Sequence, residues 1–175
     1  MLALDLKQYQ IIENKSQSNV NFLDYIPDNY KADFIIGYFD GDGWYTNTDK
    51  TLNFGFCGNY NTMIGIKEWL KQNLNIEINI CKDHNSKITF DLSTGNKTYI
   101  KNFISFYISK KQELDLLERK YQIALDIKTK LELYFDKKKI NQIEKDNIKK
   151  LSMIRECPIC KEKFLLGFKG QKFCS

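Results

Sequence analysis

Apolar positions recur along this chain in two rhythms, and the changes of rhythm mark its elements. Residues 34–43 read Phe-Ile-Ile-Gly-Tyr-Phe-Asp-Gly-Asp-Gly, an apolar stretch that predicts a helix beginning near Asp33, capped by that side chain and terminated by Gly43. Period-two alternation follows in W-Y-T-N-T-D-K (44–50) and T-L-N-F-G-F-C-G-N (51–59). In the second run Leu52, Phe54 and Phe56 share one face, while Asn53, Gly55 and Cys57 share the other. The T-D-K-T between them reads as a tight hairpin. Helical spacing returns from about Thr62, with Met63, Ile66, Leu70 and Leu74 on one side. A second strand pair, I-E-I-N-I-C-K (76–82) and S-K-I-T-F-D-L (86–92), flanks the polar turn D-H-N-S. Tyr99 to Tyr107 forms a further amphipathic helix through Ile100, Phe103 and Ile104. From Asp115 a long helix runs to Phe135, followed by the cluster Lys137-Lys138-Lys139 and a shorter helix to Ile154.

The order α-β-β-α-β-β-α predicts an α+β fold, a four-stranded antiparallel sheet with helices on one side and extra helices at the C-terminal end. Residues 1–30 read as an N-terminal arm, 31–135 as the principal domain, and 136–175 as a basic helical extension with a Cys-rich tail. The sheet face away from the helices carries Thr46, Thr48, Lys50, Asn53, Lys87 and Thr89. Such a face suits an ordinary solvated surface, and it also suits contact with a nucleic-acid groove.

Composition narrows the class. The chain has 175 residues, 42% hydrophobic and 14% aromatic, which supplies one substantial core and rules out intrinsic disorder. No apolar run approaches the ~18–20 residues of a transmembrane helix, so no membrane partner is expected. The start, MLALDLKQYQ, lacks a secretory pattern, which points to an intracellular protein. Lys, Ile and Asn make 62 of the 175 residues. All three have A/T-rich codons, as in an organelle, a phage or a low-GC microbe. The net charge of +5 is uneven: residues 1–109 sum to −2 and residues 110–175 to +7. The basic C-terminal third fits a polyanion, although a charge run alone also fits a solvated face.

The five cysteines fall into two groups. Cys57 and Cys81 lie in apolar strand-like runs and read as packed thiols. Cys157-Pro-Ile-Cys160 and Lys-Phe-Cys174-Ser crowd into the last nineteen residues. Without an export signal this spacing favours Zn²⁺ over a disulfide, as half of a zinc knuckle supplying three of the four ligands of a tetrahedral ion. A disordered tail is the competing reading. His84, the single histidine, falls in a polar turn and reads as solvated.

The densest chemistry lies in residues 34–43. Gly37 and Gly41 are four apart, on one helix face, where missing side chains let a second helix approach closely. Each glycine costs a helix ~1 kcal/mol, so some other contact must compensate. Asp40 and Asp42 fall at the C-terminal end, which is unfavourable for carboxylates until a cation arrives. Hard divalent ions take such oxygen ligands.

Ile36-Gly-Tyr-Phe-Asp-Gly-Asp-Gly43 resembles the signature helix of the LAGLIDADG homing endonucleases, and the order of elements from Asp33 to Tyr107 is similar to one repeat of that family. Leu117-Glu-Arg-Lys-Tyr121 resembles a segment common near the end of its domains. The resemblance implies the family's saddle-shaped sheet and site-specific hydrolysis of double-stranded DNA. It further implies that two signature helices pack side by side; with one motif per chain, the assembly is a homodimer on a pseudo-palindromic site. In this alignment Asp42 binds Mg²⁺ or Mn²⁺ with the Gly41 carbonyl. Lys120, or else Arg119, offsets charge developing at the phosphate. Where relatives commonly carry a water-positioning Gln after the second strand, this chain has Gly58 and then Asn59, which becomes the candidate. Trp44, Thr46, Thr48, Lys50, Asn53, Gly55, Cys57, Lys87 and Thr89 become the DNA-facing set. A non-cleaving nucleic-acid-binding protein of the same fold, such as an intron-RNA maturase, is the alternative, as is one half of a larger two-repeat protein.

Overall fold

The computed structural model describes residues 21–82 and 88–166. The expectations placed on residues 1–20, His84, Lys87 and Cys174 lie outside those ranges. The chain divides into two compact units, Met1–Leu131 and Glu132–Ser175.

In the first unit, a short 3-10 turn at Phe22–Tyr25 leads into helix α1 (Asp28–Asp42). The helix starts five residues before the expected Asp33. Pro27 occupies the N-cap position and Asp28 follows in the first turn, where a carboxylate suits the positive end of the helix. An ion pair of 2.7 Å to Lys31 adds to this. Strands β1 (Gly43–Asn47) and β2 (Leu52–Gly58) form the expected hairpin. Thr48 closes its turn, donating its backbone N–H to the Thr51 carbonyl and accepting the Thr51 N–H on its hydroxyl, both at 2.9 Å. Thr48 and Lys50 therefore belong to the turn rather than to the sheet face.

Helix α2 (Tyr60–Leu74) precedes β3 (Ile80–Lys82), β4 (Phe90–Thr94) and helix α3 (Lys97–Ser109). The second strand pair is shorter and later than the alternation predicts. Ile76 and Ile78 are buried before any ladder begins, so their apolar spacing reflects burial of an irregular segment. The strand order β1-β2-β4-β3 is antiparallel throughout. Phe54, Phe56 and Leu92 face the helices and are fully buried. Phe39 sits at the centre of this core, edge-on to Tyr45, Phe56, Phe103 and Tyr107 at 4.8–5.5 Å between ring centroids. Such contacts add to the area that the rings bury.

Helix α4 (Glu118–Ser152) begins in the first unit, where Ala124, Ile127 and Leu131 are buried at helical spacing, and ends in the second. It is one helix, not two. Lys137-Lys138-Lys139 does not interrupt it, because lysine is a good helix former and all three are exposed. Two short strands, β5 (Ile154–Glu156) and β6 (Lys163–Leu165), then pair antiparallel. No helix among the described residues is long and apolar enough to cross a membrane.

Candidate functional site

The two aspartates at the end of α1 have different environments. Asp40 is half-buried and committed to structure: Oδ1 accepts the Tyr107 hydroxyl at 2.6 Å and Oδ2 accepts the Leu117 N–H at 2.9 Å. Asp42, the last residue of the helix, is exposed. The pattern D-G-D-G thus places one carboxylate inward and the next, two residues on, outward.

Lys120, expected at the phosphate, is 6% exposed beneath the end of the helix. Its ammonium donates to the carbonyls of Phe39, Asp40 (3.0 Å) and Gly43. An ammonium has three donors, and all three are used. The group also lies 4.9 Å from the centre of the Phe39 ring. Burial pulls it below the ordinary lysine value; Asp40 and Asp42 pull the other way, and Arg119 adds to the depression. Lys120 is therefore a positioning residue that holds the C-terminal carbonyls of α1 and places a positive charge under both aspartates. Arg119, one residue earlier, is exposed.

Asn59 lies at the start of α2. It is 6% exposed, and its side-chain oxygen caps α2 by accepting the Thr62 N–H at 2.9 Å. The polar group near the end of β2 comes instead from α1. Tyr38 donates its hydroxyl to the Cys57 carbonyl at 3.0 Å. A Cβ on Gly58 would lie 2.1 Å from that hydroxyl, so Gly58 is bare because Tyr38 fills its place. The phenol is pushed above its ordinary value by burial and then by Asp42, one helical turn on. Sequence reading missed Tyr38; its position four residues before Asp42 was the available signal.

Gly37 and Gly41 are both exposed, and a Cβ on either would meet nothing within 4 Å. Packing among the described residues gives no reason for glycine at these positions. Tyr30, 58% exposed, continues the same face at seven-residue spacing.

The open face of the sheet carries three cross-strand rows. Thr46 pairs with Asn53, Trp44 with Gly55 and Ser93, and Cys57 with Asp91 and Cys81. The Trp44 indole lies on Gly55: a Cβ there would meet both the indole and the Ser93 side chain at 2.8 Å. Of the DNA-facing set, Trp44, Thr46, Asn53, Gly55 and Cys57 share this face. Thr89 lies just before β4 and is half-buried.

A hard cation fits the end of α1. Asp42 offers an exposed carboxylate, and Lys120 takes the carbonyls on either side of Gly41 without taking that of Gly41. One carboxylate with one carbonyl is the kind of partial oxygen set that Mg²⁺ completes with water and phosphate.

No family model and no curated protein matches the chain. Among solved structures, the homing endonuclease I-TnaI is 14% identical with a TM-score of 0.44, over 61% of this chain and 74% of that one. The archaeal intron-encoded homing endonuclease I-Vdi141I, complexed with DNA, is 16% identical with a TM-score of 0.46, over 63% and 72%. The group I intron-encoded homing endonuclease I-CeuI, also complexed with DNA, is 18% identical with a TM-score of 0.47, over 77% and 65%. All three of these similar structures are homing endonucleases, each under 20% identical to this chain.

Proposed function

We propose that this chain is a divalent-metal-dependent homing endonuclease that hydrolyses phosphodiester bonds of double-stranded DNA at a specific site, as a homodimer. The observation that carries the reading is the end of α1. There an exposed carboxylate, Asp42, stands beside a helix face whose two glycines nothing among the described residues explains. A second copy of α1 lying against Gly37 and Gly41 would use the missing side chains and bring two Asp42 carboxylates together about a two-fold axis. The DNA site would share that symmetry.

Each residue then has a defined task. Asp42 and the Gly41 carbonyl would hold Mg²⁺, which supplies Lewis-acid polarisation of the phosphodiester. Lys120 holds the carbonyls around Gly41 in place and lowers the cost of a carboxylate at the negative end of a helix. Arg119 offsets charge on the phosphate. Trp44, Thr46 and Asn53 lie on the sheet face that would enter the major groove.

The test is incubation with a random-site duplex library and Mg²⁺, followed by sequencing of cut ends. A recurrent near-palindromic site, lost in EDTA and with Asp42→Asn, is the expected result. Asp42→Asn should keep DNA binding. Retained binding to one DNA or intron RNA, with no cutting in either Mg²⁺ or Mn²⁺, would replace the nuclease by a binding protein.

A further inference from the structure

The described residues of the second unit form no apolar core. Among its described residues, 132–166, only Cys157 is buried, at 2% exposed. Ile154, Ile159 and Leu165, which would form a core under the β5–β6 hairpin, are 37%, 77% and 59% exposed. Three-residue strands in an isolated hairpin are marginal in water, and a unit this small without a core ordinarily needs a disulfide or a metal.

At the head of the hairpin the chain folds back tightly on the Cys157-Pro-Ile-Cys160 turn. Lys161 donates its N–H to the Cys157 carbonyl at 2.9 Å, and the Cys157 N–H goes to the Glu162 carbonyl at 2.8 Å. Lys161 itself adopts φ 63°, a left-handed conformation that costs a residue with a side chain ~1 kcal/mol or more. Neither cysteine forms a disulfide, and Cys157 is buried while Cys160 is exposed. A strained turn, a buried thiol where a core should be, and a second thiol three residues on all sit at the same place.

We propose that Cys157 and Cys160 are thiolate ligands of a structural Zn²⁺ that staples this unit. Zinc suits the site because it takes soft thiolates in a tetrahedral set, and C-x₂-C is the spacing with which one turn presents two of them. Binding releases one proton from each thiol to solvent, with no change of oxidation state. The metal would hold a fold, a task different in kind from the chemistry proposed for Asp42. The inference does not rest on the nuclease reading.

The test uses the full chain. Elemental analysis after purification in zinc-containing, chelator-free buffer should give about one zinc per chain. The double variant Cys157→Ser/Cys160→Ser should lose that zinc. Co²⁺ added to metal-stripped wild-type protein should develop thiolate-to-cobalt charge-transfer absorption that Zn²⁺ abolishes, a readout independent of how well the variant folds. Absence of both zinc and that absorption would overturn the proposal. So would zinc retained by the double variant, or a Cys157–Cys160 disulfide in freshly purified protein shown by alkylation and mass.

Discussion

The Tyr107 hydroxyl donates to Asp40 Oδ1 at 2.6 Å, and the other oxygen of that carboxylate is held by the Leu117 N–H. Asp40 thereby joins three elements: the end of α1, the last turn of α3 and the approach to α4. Asp40→Ala would strand a partly buried hydroxyl and a backbone donor. We expect a loss of about 1–3 kcal/mol, read from the urea midpoint. Asp42→Asn, at an exposed position, should move the same midpoint by under about 0.5 kcal/mol. Equal losses for the two variants would refute the division of labour between the aspartates.

Lys120→Met keeps the stem of the side chain but leaves three carbonyls at the end of α1 without their donor. Unfolding should become easier by about 1–3 kcal/mol, with cleavage lost as a consequence of a disordered helix end. Arg119→Ala should leave stability nearly unchanged and slow cleavage. A variant at position 120 that was fully stable yet inactive would restore lysine to the phosphate.

Gly37→Leu separates folding from assembly. Since a Cβ at this position meets nothing within 4 Å, the monomer should be stabilised by up to about 1 kcal/mol through helix propensity alone. The dimer should be lost, because the added side chain occupies the approach of the second helix. Sedimentation at equilibrium would show a monomer for the variant and a dimer for the parent. A variant that still dimerised would place the interface elsewhere.

Alkaline pH should unfold the protein through its tyrosines. Burial raises the phenols of Tyr38, Tyr45 and Tyr107, with Asp42 adding to the first, Tyr107 and Asp40 to the second, and the bond to Asp40 to the third. In the unfolded chain these groups ionise near pH 10, whereas the folded state keeps their protons. The folded state therefore binds more protons above pH 10, and the stability present below that value falls as pH rises. Lys120, whose value is lowered by burial, contributes the opposite slope, but it is one group against three. Urea midpoints between pH 8 and 11 should decline at the upper end, and less steeply in Tyr38→Phe.

How far the sequence could be read depended on whether a residue's surroundings are local. Alternation in Leu52–Gly58 and the T-D-K-T turn are properties of neighbours, and both elements form where the pattern puts them. The inward and outward aspartates are implicit in D-G-D-G, although which one faces Tyr107 depends on a helix 67 residues away. Asn59 and Lys120 could not be resolved in this way. An amide near a strand end looks the same in sequence whether or not its oxygen caps a helix, and the Thr62 N–H at 2.9 Å shows that this one does. Lysine after arginine gives no sign of which one turns inward. The start of α1 was misplaced because Asp33 resembles a cap; Pro27 and Asp28, five residues earlier, form the actual start.

The Tyr38–Gly58 contact constrains the evolution of this chain. Any side chain at position 58 begins 2.1 Å from the Tyr38 oxygen, so a glutamine cannot arise there in one substitution without a collision. Removing the hydroxyl first leaves the Met63 methyl at 3.1 Å and the ring edge at 3.3 Å, contacts that need shifts of only a few tenths of an ångström. The two positions are epistatic and the order of changes matters: Tyr38 must yield before Gly58 can vary. Descendants of this sequence should then carry either tyrosine with glycine or a smaller residue with a side chain, and rarely the mixed pair.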